Sequence, residues 1–135
     1  MDDRLGTLAR ADKARLKAFA KTLISDLGAF EVLQSRTGLV MLPMRDTAGG
    51  VAFHLGEVLV SEAHVRKGRV DGYGMRRGHD LEAAMAMALV DLALASDVRA
   101  AECAAFCAAE AKALAQADED VLRRVEATRV NMETF

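Results

Sequence analysis

The spacing of hydrophobic and polar positions changes twice along the chain. Leu16, Phe19, Ala20, Leu23, Ile24 and Leu27 recur every three or four residues, which puts them on one face of a helix. Asp12 stands where an N-cap belongs and Gly28 where a C-cap belongs. The pattern predicts a helix over 10–27, with a short helical turn over 3–9 ahead of it.

After Gly28 the period shortens. Phe30 and Val32 alternate with Glu31, Leu33 and Ser35, which predicts a strand. Thr37-Gly38 reads as a turn. Leu39–Met44 reads as a second strand, with the single proline, Pro43, near its end, where a missing amide donor is tolerated. Asp46–Gly50 reads as a turn, Val51–Glu57 as a third strand and Val58–Val65 as a fourth. Gly56 suggests a bulge. Lys67-Gly68 predicts a tight turn into Val70–Met75. Short turns between strands imply antiparallel pairing over 29–76.

From Asp80 the helical period returns and holds over 80–134. Leu81, Met85, Ala88, Leu89 and Leu92 form one stripe, widened by Met87 and Leu94. Ser96-Asp97 reads as a break. A second helix is expected over Val98–Ala115, and a third from Asp118, where Asp118, Glu119 and Asp120 suit a positive helix N-terminus. With no Gly or Pro between them, the last two can also be one helix. The expected fold is one α+β domain: an N-terminal helix, an antiparallel sheet of about four to five strands, then two to three C-terminal helices packed on the sheet.

Composition narrows the function classes. The chain has 135 residues, 52% hydrophobic and 28% charged, which suits a single soluble core. A formal charge of −2 and 4% aromatic residues argue against nucleic-acid binding. The longest apolar stretch, Ala83–Val90, is too short to span a membrane, and Met-Asp-Asp-Arg opens without a signal-peptide run. Two closely spaced cysteines fit a reducing, cytoplasmic compartment. Charge is partitioned: residues 1–79 carry thirteen basic and nine acidic groups, residues 80–135 five and eleven.

The candidate chemistry is sparse. Cys103 and Cys107 share a helix face but lack further metal ligands nearby, so they read as packing against Phe106. Glu62 and His64 share a strand face and can form a carboxylate–imidazole pair. Arg76-Arg77-Gly78-His79-Asp80 joins a strand to a helix start, where guanidinium groups and free amides hold phosphate, although Asp80 competes as a cap. Arg66, Lys67 and Arg69 lie on the preceding turn. Gly49-Gly50 is too short for a phosphate loop. No catalytic triad, Walker sequence, paired carboxylates or CxxC is present. Arg76, Arg77, Arg66 and His79 are therefore the candidate anion or nucleotide contacts, with no catalytic and no metal residues.

Several segments together carry a family resemblance. They are Thr37-Gly38-Leu39-Val40, Gly56-Glu57-Val58-Leu59-Val60-Ser61-Glu62, Gly72-Tyr73-Gly74, Gly78-His79-Asp80, Ala83-Ala84, Ala88-Leu89-Val90-Asp91 and Glu126-Ala127-Thr128-Arg129-Val130. In this order and spacing they resemble the G subunit of the bacterial carbon–phosphorus lyase system. That family usually has Gly-Arg-Asp where this chain has Gly78-His79-Asp80. The resemblance implies a core complex with the H, I and J subunits. With I, H and the L protein, it implies a part in displacing adenine from ATP by a phosphonate, giving ribose 1-phosphonate 5-triphosphate. ATP and phosphonate are then substrates of the complex, and no cofactor is bound by this subunit; the iron–sulfur cluster belongs to J. No catalytic residue carries over.

A subunit of a complex must offer an apolar face. Met85 and Met87, or Val121, Val125 and Met132, are the candidate interface residues. The competing expectation is a self-associating small-molecule binding module, without catalysis, whose pocket between sheet and helices is lined by His54, His64 and Tyr73.

Overall fold

The computed structural model describes the backbone of residues 4–45 and 52–133, and the side chains within 4–40 and 57–128. The expected turn at Asp46–Gly50 and the side chains of His54 and Met132 lie outside the described residues. The fold is α+β, in the order α1 (Arg4–Arg10), α2 (Lys13–Leu27), β1 (Glu31–Arg45), β2 (Ala52–Lys67), β3 (Val70–Arg77), α3 (Leu81–Ala95) and α4 (Ala100–Glu133). The strands form one antiparallel sheet in the order β1-β2-β3.

Among the described residues, three strands replace the four to five expected. Thr37-Gly38 is not a turn: Thr37 pairs with Ser61 and Gly38 with Val60 inside a continuous β1. Gly38 has no left-handed backbone, so nothing there reverses the chain. The expected third and fourth strands likewise fuse into β2, because Glu57 and Val58 stay in register with Met41 and Val40. Gly56 does mark an irregularity: the register slips between Leu42, opposite Gly56, and Pro43, opposite His54. Lys67-Gly68 forms the tight turn, with Gly68 at φ 64°. After the sheet, the two expected final helices are one. Asp118–Asp120 lie inside α4 rather than at a helix start. Asp118 meets Arg10, and Glu119 and Asp120 meet Arg123.

The helix ends follow their caps. Asp12 accepts from Arg15 N at 2.9 Å, and Gly28, at φ 69°, closes α2. Asp80 accepts from Ala83 N at 3.1 Å and opens α3. Asp97 and Arg99 take positive φ in the α3–α4 link. Ser61 secures the β3–α3 link, donating to Gly78 O at 2.7 Å and accepting from Asp80 N at 2.9 Å.

The core sits where α3 lies on β3 and β2. α3 is apolar on almost every side and buries ten of its residues. Leu8, Leu16, Leu23 and Leu27 from α1 and α2 pack around it, with Ala63 and Val65 from β2. β3 turns Gly72 and Gly74 toward α3, so the helix backbone rests on the strand. Tyr73 and Met75 N–H groups are taken by Asp91 Oδ2 at 3.0 Å and Met87 Sδ at 3.4 Å. Helix α3 thus covers amides of an edge strand.

Two parts extend past this core. β3 pairs with β2 only from Val60 to Lys67, so β2 from Ala52 to Leu59 and its β1 partners form a two-stranded ribbon. α4 has 34 residues, hence a length of about 50 Å. Its first half is anchored: Phe106 stacks on Phe19 at 4.5 Å, and Glu110 takes a two-point ion pair from Arg15 at 2.7 and 3.1 Å. That pair holds the buried Glu110 carboxyl below its ordinary range. Over 121–128 every side chain is exposed.

Candidate functional site

Arg76 and Arg77 are consecutive on β3, so their side chains leave opposite faces of the strand. β3 is an edge strand that ends at Arg77, and both residues line one open cleft at that end. The cleft, about 700 Å³, is lined by Ala9 and Arg10 of α1, Val60 of β2, Met75, Arg76 and Arg77 of β3, and Leu114 of α4. Three arginines and four apolar residues therefore line one hollow.

The three are held differently. Arg76 is half-buried and donates to Leu8 O at 2.5 Å and Ala11 O at 2.8 Å. It joins β3 to the α1–α2 junction through neutral acceptors. Burial pulls its pKa below the ordinary guanidinium range, while Asp80 and Asp12 pull the other way; a guanidinium still keeps its charge. Arg10 is exposed and, among the described residues, meets the exposed Asp118 at 3.4 Å. Arg77 is exposed and has no hydrogen-bond or ion-pair partner among the described residues. Arg10 is the residue that sequence reading missed, because nothing in the chain between 10 and 76 signals that α1 returns to the end of β3.

The other candidate contacts lie elsewhere. Arg66 is at the far end of the β2–β3 pairing, where its guanidinium makes a two-point bond to Asp71 at 2.7 and 3.3 Å. His79 is exposed in the β3–α3 link and is not among the residues lining the cleft. The amides opening α3 are served by Asp80, whose carboxyl lies below its ordinary range, first through Lys17 at 3.0 Å and then through Ala83 N.

A second polar group occupies the sheet face turned away from α3. His64 Nε2 lies 3.3 Å from Asp71 Oδ2, and its ring meets Tyr73 edge-on at 6.2 Å. Arg66, then His64, keep the Asp71 carboxyl below its ordinary range. Glu62 does not pair with His64; it faces Arg36 at 3.8 Å, and burial together with the Glu62 charge pushes the Tyr73 hydroxyl above its ordinary range. His64 and Tyr73 therefore do not line a pocket between sheet and helices, since Gly72 and Gly74 on the opposite face meet α3 there.

Cys103 is fully buried and Cys107 half-buried beside Phe106. Burial, the larger influence, pushes the Cys103 thiol up from 9.0. Among the described residues no three His, Cys, Asp or Glu side chains are placed to hold a metal ion. Met87 is buried against β3, and Met85 is half-buried in a groove with Lys17, Lys21 and Ile24. Val121, Leu122 and Val125 are 54%, 65% and 58% exposed, and Leu39 and Leu59, paired on the ribbon, 63% and 41%. No helix among the described residues is long and apolar enough to cross a membrane.

Comparison with known families gives one match. The family model described as phosphonate metabolism protein PhnG matches residues 2–135, essentially the whole chain. No curated protein matches it.

Proposed function

The chain belongs to the PhnG family of phosphonate metabolism proteins, and from that premise we propose that it is an accessory subunit of the carbon–phosphorus lyase core complex. In this reading it binds the I, H and J subunits. With I, H and the L protein it assists the transfer of a phosphonate to the ribose C1′ of ATP, with release of adenine. The complex acts as the transferase, and this chain supplies no catalytic group of its own.

The observation that carries the reading is the pair of uncovered apolar parts. Leu39 and Leu59 on the ribbon and Val121, Leu122 and Val125 on α4 face outward. A ribbon of two strands is marginal alone in water. A helix segment whose side chains over 121–128 are all exposed gains nothing from the core it leaves behind. Both are accounted for if partner subunits cover them.

Co-expression with an I subunit, followed by size-exclusion chromatography with light scattering, tests this. A stable co-eluting complex is expected. Val125→Asp is expected to weaken co-elution at least tenfold while leaving thermal stability unchanged, because the position is exposed in the free chain. A chain that elutes identically with and without I would overturn the reading in favour of the self-associating binding module.

A further inference from the structure

We propose that the link between α3 and α4 is a hinge across which two copies of this chain exchange α4, each helix packing on the other copy's core. The inference does not rest on the subunit reading above.

The link is bent against its own sequence. Where a helix ends in a left-handed residue, that residue is usually glycine. Here Asp97 stands at φ 57° and Arg99 at φ 49°, both in the short link between Ala95 and Ala100. Aspartate enters that region more readily than most residues; arginine has no such aid. No glycine or proline occurs from Leu81 to the end of the chain, so nothing local stops α3 from running on into α4. The bend also leaves Ser96 Oγ buried with no hydrogen-bond partner among the described residues. In an unbroken helix that hydroxyl reaches the Leu92 carbonyl, four residues back.

The bend is held by tertiary contacts. Arg99 donates to Thr22 O at 2.8 Å and faces Asp26 at 3.5 Å, which ties the link to the end of α2. Beyond it, Cys103 enters the core, Phe106 stacks on Phe19 and Glu110 pairs with Arg15. None of the contacts beyond the link requires α2 and α4 to belong to the same chain. When the link straightens, α3 and α4 become one helix over residues 81–133, about 80 Å long. The bend's backbone bonds, Val98 N to Ala93 O at 2.9 Å among them, are exchanged for helical ones. The surface that α4 vacates is shaped and charged for α4 itself, so the occupant is the α4 of a second copy. The two copies remake both sets of core contacts and release the strained residues of both links. Strain in a short hinge is the condition that favours such exchange.

Refolding of the full chain from urea at rising concentration, under reducing conditions, tests the hinge by size-exclusion chromatography with light scattering. A dimer is expected whose share grows with concentration. Asp97 is exposed and its side chain makes no hydrogen bond or ion pair among the described residues, so substitutions there should not unfold the protein. Asp97→Gly relaxes the bend and disfavours the straight helix; it should weaken dimerisation at least tenfold. Asp97→Ala does the reverse on both counts and should strengthen it at least tenfold, since each dimer contains two links. Val125→Asp lies on the part of α4 that packs on neither core and should change dimerisation less than twofold. A chain that stays monomeric, Asp97→Ala included, would overturn the proposal. So would a dimer that the two Asp97 substitutions do not shift in opposite directions. Loss of the dimer in Val125→Asp would do the same, by placing the contact on the exposed half of α4. None of these outcomes depends on co-elution with I, so the two readings fail separately.

Discussion

Gly74→Ala should lower stability by about 3 kcal/mol, the upper end of overpacking penalties. A Cβ at this position would stand 2.2 Å from Ala84 O, 2.9 Å from Ala88 N and 3.1 Å from Met87 Cβ. The first two are backbone atoms of α3, so no side-chain rotation makes room. Gly72 repeats the situation one turn along, at 2.4 Å from Ala88 O and 2.6 Å from Leu92 Cβ. The helix would have to lift off the strand, and with it the packing of Met87, Leu92 and Val65. For a chain of this size the expected fall in melting temperature is about 10 °C. Gly38→Ala is the control. Nothing lies within 4 Å of its Cβ and its backbone is ordinary, so a change within ±0.5 kcal/mol is expected. If Gly74→Ala melts with the unmodified chain, α3 does not rest on β3 as described.

Asp91→Ala should cost about 1–3 kcal/mol, read as a lower urea midpoint at unchanged slope. Asp91 lies in the middle of α3 and is 7% exposed. One oxygen accepts from Tyr73 N at 3.0 Å and the other meets Arg4 at 2.8 Å. Alanine leaves the Tyr73 amide without its acceptor and takes the carboxylate away from Arg4. A buried amide left without an acceptor costs more than its hydrogen bond contributed. Asp91→Asn keeps an oxygen for Tyr73 and loses the charge, so it should fall between alanine and the unmodified chain. Equal effects of the two substitutions would assign the whole cost to the Arg4 contact.

These two sites show how far the sequence was legible. The caps at Asp12, Gly28 and Asp80 depend on neighbours within four residues, and each is found where local chemistry puts it. The α+β class also follows from the two changes of hydrophobic period. Strand number does not. Thr37-Gly38 carries turn residues, yet long-range pairing with Ser61 and Val60 keeps it extended. The register of β1 on β2 is a property of both strands together, and no window of one strand contains it. The same holds for α4, where Asp118–Asp120 resemble a helix start but bond to Arg10 and Arg123 instead.

The site was legible in the same measure. Arg76 and Arg77 are visible as a basic pair before a helix. That they share a cleft with Arg10, while Arg66 is held by Asp71 at the other end of β3, depends on how α1 folds back. Likewise His64 finds Asp71 across the strands rather than Glu62 along its own strand. Asp71 stands opposite Arg66 and diagonally across from His64, a distance an imidazole and a carboxylate span.

The proposed role is that of a partner subunit in phosphonate metabolism, with Leu39 and Leu59 on the ribbon and Val121, Leu122 and Val125 on α4 covered by other subunits. The most direct measurement is adenine release from ATP in the presence of an alkylphosphonate, using purified I, H and L proteins with and without this chain. The account predicts that ribose 1-phosphonate 5-triphosphate forms only when the chain is added, and that the chain alone releases no adenine. Equal rates of adenine transfer to phosphonate with and without it would contradict the account.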